Sequence, residues 1–193
     1  MIGCKVLLAA LLLTGAIAPG VGGFAGKGMA YRLPLFLALA LVVPVRSWRR
    51  RAPYRVGLDV ALTVPLLLDT AANAVGFFDR FDRTDDVLHA LNWFILAGGV
   101  ALTYLDLTRD APPPRWLTTV AATGTGAIVA IIWEAAEYGI MRSGVGGLSL
   151  TYGDTIADLL LGTTGGAIGA TLATRRWGQH NSRLTPGPEP SHP

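Results

Sequence analysis

Charge is what this sequence has little of. Asp, Glu, Lys and Arg make up 15% of its 193 residues while 51% are apolar, against roughly 25% charged in a soluble domain. The deficit excludes a disordered chain, which needs high charge and low hydrophobicity, and argues against an ordinary soluble domain. Cysteine is nearly missing as well. Cys4 alone leaves no internal disulfide framework and no thiolate zinc cluster. Histidine is scarce, and of three in the chain only His89 falls in an apolar stretch. A di-iron bundle, which needs a Glu-x-x-His pair from each of two helices, is therefore excluded.

What is present is a set of apolar runs. Six can be read, at about Lys5–Gly22, Gly28–Val45, Val56–Phe78, Val87–Leu107, Leu117–Ile140 and Asp154–Thr174. Six membrane helices of about 20 residues take roughly 120 residues, which leaves loops and tails but no separate soluble domain. The expectation is an all-α, polytopic membrane helix bundle of about six transmembrane helices, forming one domain over residues 1–174. Residues 175–193, rich in proline at their end, read as a disordered cytoplasmic tail. Pro112, Pro113 and Pro114 stop the fourth run, and Gly144, Gly146 and Gly147 mark a flexible turn before the sixth. The first run has a second reading as a signal peptide, with Lys5, an apolar stretch and Ala16-Ile17-Ala18, although Pro19 argues against cleavage. The second run is the weakest, because Pro34 and Pro44 interrupt it.

Basic residues orient the bundle. With the N-terminus inside, the inner side holds Lys5, Arg46, Arg49, Arg50, Arg51, Arg55, Arg109, Arg115, Arg175, Arg176 and Arg183. Lys27, Arg32, Arg80, Arg83 and Arg142 fall outside, eleven against five of the sixteen. Both termini are expected inside. The net charge of +3 and pI near 9.4 then belong to membrane flanks, so the expected partner is the lipid bilayer and not nucleic acid.

An ionisable residue near the centre of a membrane helix costs about 2.5–3.5 kcal/mol, so those that persist are informative. In the N-in arrangement Asp69 and Asn73, then Asp85, His89 and Asn92, then Glu134 and Glu137, then Asp154 and Asp158 all fall toward the outer leaflet. Asp59 is the exception and reads as an interfacial partner of the Arg46–Arg55 cluster. Helical spacing gives the stripes Asp85, His89, Asn92, Gly99, Thr103; Gly126, Ala130, Glu134, Glu137; and Asp154, Asp158, Gly162, Gly165, Gly169. Small residues let membrane helices approach closely, so these faces are expected to meet around an acidic, outward-opening cavity. One imidazole among carboxylates suits a hard divalent cation, Mg²⁺, Mn²⁺ or Ca²⁺, with Asp85, His89, Glu134, Glu137, Asp154 and Asp158 as candidate ligands. Glu134, Glu137 and His89 are the candidate acid–base groups. Plainer readings stand beside these: Asp154 as an N-cap, His89 bonded to Asp85 alone, and the two glutamates as structural hydrogen-bonding groups. Trp93, Trp116, Trp133 and Tyr138 fit interfacial belts.

Three elements carry a family likeness. Asp85-x-x-x-His89 opening a span, Glu134-Ala-Ala-Glu137-Tyr138, and Gly153-Asp154-Thr-Ile-Ala-Asp158 followed by Gly165-Gly166-Ala167 resemble, in the same order, elements of the YjdF-like inner-membrane proteins. More distantly they resemble the VanZ-like family. Leu88 stands where the YjdF-like proteins have glycine, and Gly162 where the VanZ-like pattern has asparagine. The resemblance implies a multi-pass protein of the bacterial inner membrane and carries no established reaction with it.

Three functions follow from these residues. One is a metal-dependent or acid–base enzyme acting on a lipid or envelope precursor, with a lipid-linked or small-molecule substrate. Another is a small cation- or proton-coupled carrier. The third is a structural or partner-binding protein whose acids satisfy one another. The orientation is the most directly testable part: a reporter fused after Arg176 should read as cytoplasmic, and an external reading overturns the shared depth of the polar residues.

Overall fold

In the computed structural model, residues 1–142 and 150–184 are described, and among them the chain is helical with no strand. The helices are α1 (Ile2–Ile17), α2 (Met29–Arg50), α3 (Val56–Ala74), the single turn α4 (Phe77–Arg80), α5 (Thr84–Leu107), α6 (Arg115–Arg142) and α7 (Tyr152–Leu184). Helix is the answer a hydrocarbon surrounding demands, since each backbone polar group must be satisfied within its own segment. Five of the helices, α2, α3, α5, α6 and α7, are long and apolar enough to cross a membrane. This is a multi-span membrane protein.

Several expectations need correcting. Five long spans stand among the described residues; the first run forms α1, whose 16 residues reach only about 24 Å at 1.5 Å per residue, against a hydrocarbon core of about 30 Å. The second run, expected to be weak, is an unbroken helix of 22 residues with Pro34 and Pro44 inside it. Neighbouring helices and local adjustment let membrane helices tolerate proline. The third run ends early: Gly76, at φ 71°, turns the chain between α3 and α4. The last helix continues past Thr174 to Leu184, into the stretch read as a tail. The glycine turn at 144–147 and the terminal prolines lie outside the described residues.

The bundle has two packed regions. In the first, Leu8 and Leu12 of α1 are fully buried with Phe24, Met29, Phe36 and Ala40. A polar pin holds α1 to α3 there. Lys5 Nζ donates to Asp59 Oδ1 at 2.6 Å and to Thr63 Oγ1 at 2.7 Å, while the Tyr54 hydroxyl donates to Asp59 Oδ2 at 2.5 Å. Burial, then the hydrogen bond to Asp59 and its charge, push the Tyr54 phenol up to about 12, so it stays a donor at physiological pH. Asp59 is thus not a partner of the arginine cluster. Its neighbour Arg55 is engaged by Asp106 of α5, and the Lys5 ammonium fills the site.

The second region is α5, α6 and α7, built on Ala97, Ala101, Ala122 and Ala170. The expected glycine face meets its partner here. A Cβ on Gly162 would collide with the Trp93 ring, one on Gly165 with the Ala90 carbonyl, and one on Gly169 with the Phe94 carbonyl. The two backbone contacts, Gly165 on Ala90 and Gly169 on Phe94, rise together along both helices, so α5 and α7 run parallel. Gly57 of α3 and Gly99 of α5 abut in the same way, and there Ala61 against Gly99 and Thr103 against Gly57 mark an antiparallel pair. Gly99 and Thr103 of the expected polar stripe therefore serve the α3 contact instead of the polar face.

Overpacking a membrane helix contact costs about 1–3 kcal/mol. Gly165→Ala should therefore lower the thermal midpoint in detergent, despite the better helix propensity of alanine. Gly124→Ala, which adds a Cβ with nothing within 4 Å, should leave it unchanged or slightly raised. Equal behaviour of the two variants would show that α5 and α7 are not in close contact.

Candidate functional site

The first two turns of α5 set the site. Asp85 lies in the opening turn, His89 one turn on, and Asn92 and Trp93 one turn further, so all four share a face. The parallel glycine contact brings Asp158 of α7 against this face, and Glu134 of α6 closes the third side. His89 Nε2 stands 3.6 Å from Asp85 Oδ1, 3.8 Å from Asp158 Oδ1 and 3.9 Å from Glu134 Oε1. All three separations exceed hydrogen-bond length.

His89, Glu134 and Asp158 are 8%, 6% and 2% exposed. Even so, His89 Nδ1, both Glu134 carboxylate oxygens, Asp158 Oδ1, Asn92 Oδ1 and Trp93 Nε1 have no hydrogen-bond partner among the described residues. A buried polar group left unbonded costs about 1–3 kcal/mol, and more when charged. One ligand atom each from Asp85, His89 and Asp158 lies within 4.8 Å of the others. Ligands on opposite sides of a cation stand about 4–5 Å apart, given bond lengths of 2.0–2.6 Å for Mg²⁺ and Ca²⁺. The spacing fits a divalent cation in size and in donor type.

Beside the cluster lies a cavity of about 660 Å³. Asp85, His89, Asn92 and Trp93 form part of its wall, whereas Glu134 and Asp158 sit behind that wall. Leu58, Leu62, Leu66, Leu96 and Val100 line its apolar depth, and every ionisable lining residue falls at the other end. That end was expected to be acidic, and it carries both signs. Arg32 is paired with Asp69 at 2.6 Å and Lys27 with Asp79 at 2.9 Å.

Of the six candidate ligands, Asp85, His89, Glu134 and Asp158 come together. Glu137 and Asp154 line the cavity outside that group. Asp154 is not the N-cap of α7: the helix starts at Tyr152, and Thr151 Oγ1 accepts the Asp154 backbone N–H at 3.2 Å. Trp93 is not an interfacial residue. It is 6% exposed and its ring meets that of His89 edge-on at 6.3 Å. Trp133 packs on Phe36, while Trp116 and Tyr138 are exposed. Sequence reasoning missed Arg32 and Lys27, which count there only as flanking charges. The position of Arg32 near the start of α2, one turn before Phe36, was the available signal, and its guanidinium lies over the Phe36 ring.

The family described as predicted membrane protein (DUF2238) matches residues 3–179 of the sequence. The chain belongs to this family. The YjdF-like resemblance agrees with it, since DUF2238 is the YjdF family, and the VanZ-like one finds no support. No curated protein and no solved structure matches the chain. As a DUF2238 member it is a multi-pass membrane protein, and the match takes in every residue of the cluster and of the cavity lining.

If the cluster's acids serve no role in holding the fold, removing one should help it. Replacing buried charged groups with apolar residues of similar volume is often neutral or stabilising, by about 1–4 kcal/mol. In the presence of a chelator, Glu134→Met should raise the thermal midpoint above that of the wild type. A fall would mean that the carboxylate is a structural hydrogen-bonding group.

Proposed function

We propose that this protein is a membrane enzyme that uses a divalent cation held by Asp85, His89 and Asp158, with Glu134 beside them, on an amphiphilic substrate in the adjoining cavity. The observation that carries this reading is the convergence of His89, Glu134 and Asp158, buried and with unbonded polar atoms, from three helices, with the half-exposed Asp85 joining His89 at the cavity wall. One imidazole with carboxylates favours Mn²⁺ or Mg²⁺ over thiophilic metals. When bound, such a cation would polarise a phosphoryl or carbonyl oxygen. Glu137, on the lining rather than in the cluster, is the group available to take or give a proton at the substrate. The leucine-lined depth suits an acyl or prenyl chain, and the paired charges at the polar end suit a lipid or envelope-precursor headgroup.

The carrier reading is less well supported, because the apolar depth of the cavity offers no second polar exit. In our reading α1 is a sixth, short span that Lys5 ties to Asp59. The termini face the cytoplasm of a bacterial inner membrane, and the site lies in the outer half of the bilayer.

Elemental analysis and a thermal scan test the metal site. Wild type should carry about one Mn²⁺ or Mg²⁺ per chain. A hundredfold excess of Mn²⁺ over its dissociation constant should stabilise the apo-protein by about 2.7 kcal/mol. His89→Ala and Asp158→Asn should lose both effects, and Glu137→Gln should keep them while losing turnover. A metal-free wild type that Mn²⁺ does not stabilise sinks the proposal.

A further inference from the structure

A second cavity, also about 660 Å³, lies along the same α5 helix but toward its other end, between α3 and α7. It shares no lining residue with the first. Phe94, Ile95, Leu102 and Leu172 supply its apolar walls. Its floor is smoothed by glycine: Gly98 and Gly169 face each other across α5 and α7, and Gly99 abuts α3. The result is an apolar channel with side-chain walls and a floor of bare backbone. Leu102 and Leu172 are about two fifths exposed, at 37% and 41%, so the channel opens sideways, toward the place the acyl chains occupy around a membrane protein.

The polar end of this channel is defined by Tyr54, Arg55, Arg176 and Trp177. Charge there is out of balance. Asp106 is the carboxylate on the lining, and it is already shared, engaged by Arg55 and by Arg109 Nη2 at 3.0 Å. The Arg109 guanidinium also lies over the Trp177 ring, 5.7 Å from its centroid. Arg176 has no carboxylate partner among the described residues. Three guanidiniums against one carboxylate leave this end net positive, unlike the first cavity, where Arg32 and Lys27 are each matched by an aspartate. An aromatic beside arginines at the end of an apolar channel is the arrangement that takes a lipid headgroup at the membrane surface.

We propose that this second cavity binds an anionic phospholipid, with one acyl chain along Phe94, Ile95, Leu102 and Leu172 and the phosphate held by Arg176 and Arg55. Guanidinium and phosphate match in charge and in bidentate geometry, and the surplus positive charge selects an anionic headgroup over a zwitterionic one. This site is independent of the cluster around His89.

The full-length protein in detergent tests it, with phosphatidylglycerol, phosphatidylcholine and inorganic phosphate as probes. Phosphatidylglycerol should raise the thermal midpoint and leave a one-to-one adduct in native mass spectra, while the other two should do neither. Arg176→Gln, at an exposed position, should weaken the phosphatidylglycerol effect about tenfold. Leu172→Trp, which fills the channel, should abolish the adduct, and Arg142→Gln at the opposite end should change nothing. Equal responses to the two lipids, a shift with phosphate alone, or an Arg176→Gln variant that binds like wild type would each overturn the proposal.

Discussion

The close parallel contact between α5 and α7 is the constraint on which the rest of the structure depends. Apolar side chains gain nothing by leaving lipid for another helix, so membrane helices associate through packing and polar contacts. Gly165 and Gly169 let the two backbones touch, and Gly162 leaves room for the Trp93 ring between them. The Ala90 and Phe94 carbonyls and the Trp93 ring then sit directly on α7. With the register fixed at those three points, Asp158, one turn before Gly162, has nowhere to go but against His89. The polar cluster is therefore a consequence of backbone packing several ångströms away. No attraction between the acids assembles it.

That dependence explains how groups can stay together without bonding one another. Glu134 and Asp158 are buried at 6% and 2% exposure and repel, yet the helices that bear them are held elsewhere, by the alanine and glycine contacts of α5, α6 and α7. The acids of α3 show the contrasting, structural arrangement. Asp59 is satisfied on both oxygens by Lys5 and Tyr54, and Asp69 by Arg32. Within one molecule, acids on membrane-length helices thus divide into those that tie helices together and those kept unmet by the scaffold.

Much of this was legible in the sequence, for reasons that can be named. Membrane helices follow from apolar length alone, and α3, α5, α6 and α7 were placed well by it. The glycine face of α7 and the polar face of α5 follow from helical period, and the prediction that they meet follows from the rule that small residues pack. What period cannot supply is the partner of a long side chain. Lys5 reaches Asp59 across 54 positions of sequence, and Arg32 enters the bundle from a helix whose prolines made it look weak. Nor does period give depth behind a wall: Glu134 and Glu137, three residues apart, look equivalent on a helix, but one is buried behind His89 and the other lines the cavity. Trp93 was misplaced for the same reason, since only the missing side chain at Gly162, on another helix, makes room for its ring.

Charge balance then separates the two ends of the molecule. Around His89, three carboxylates face at most one positive group, because no lysine or arginine ion pair reaches Asp158 or Glu134 among the described residues. Around Arg176 the excess has the opposite sign. Burial of His89, Glu134 and Asp158 penalises the first imbalance far more than water would, the second lies at an exposed end, and neither holds the helices together. In the proposed reading a cation relieves the first and a lipid phosphate the second. Asp59, Asp69 and Asp106 are paired, whereas the buried Glu134 and Asp158 have no lysine or arginine partner among the described residues, and that contrast is the pattern expected of a binding site.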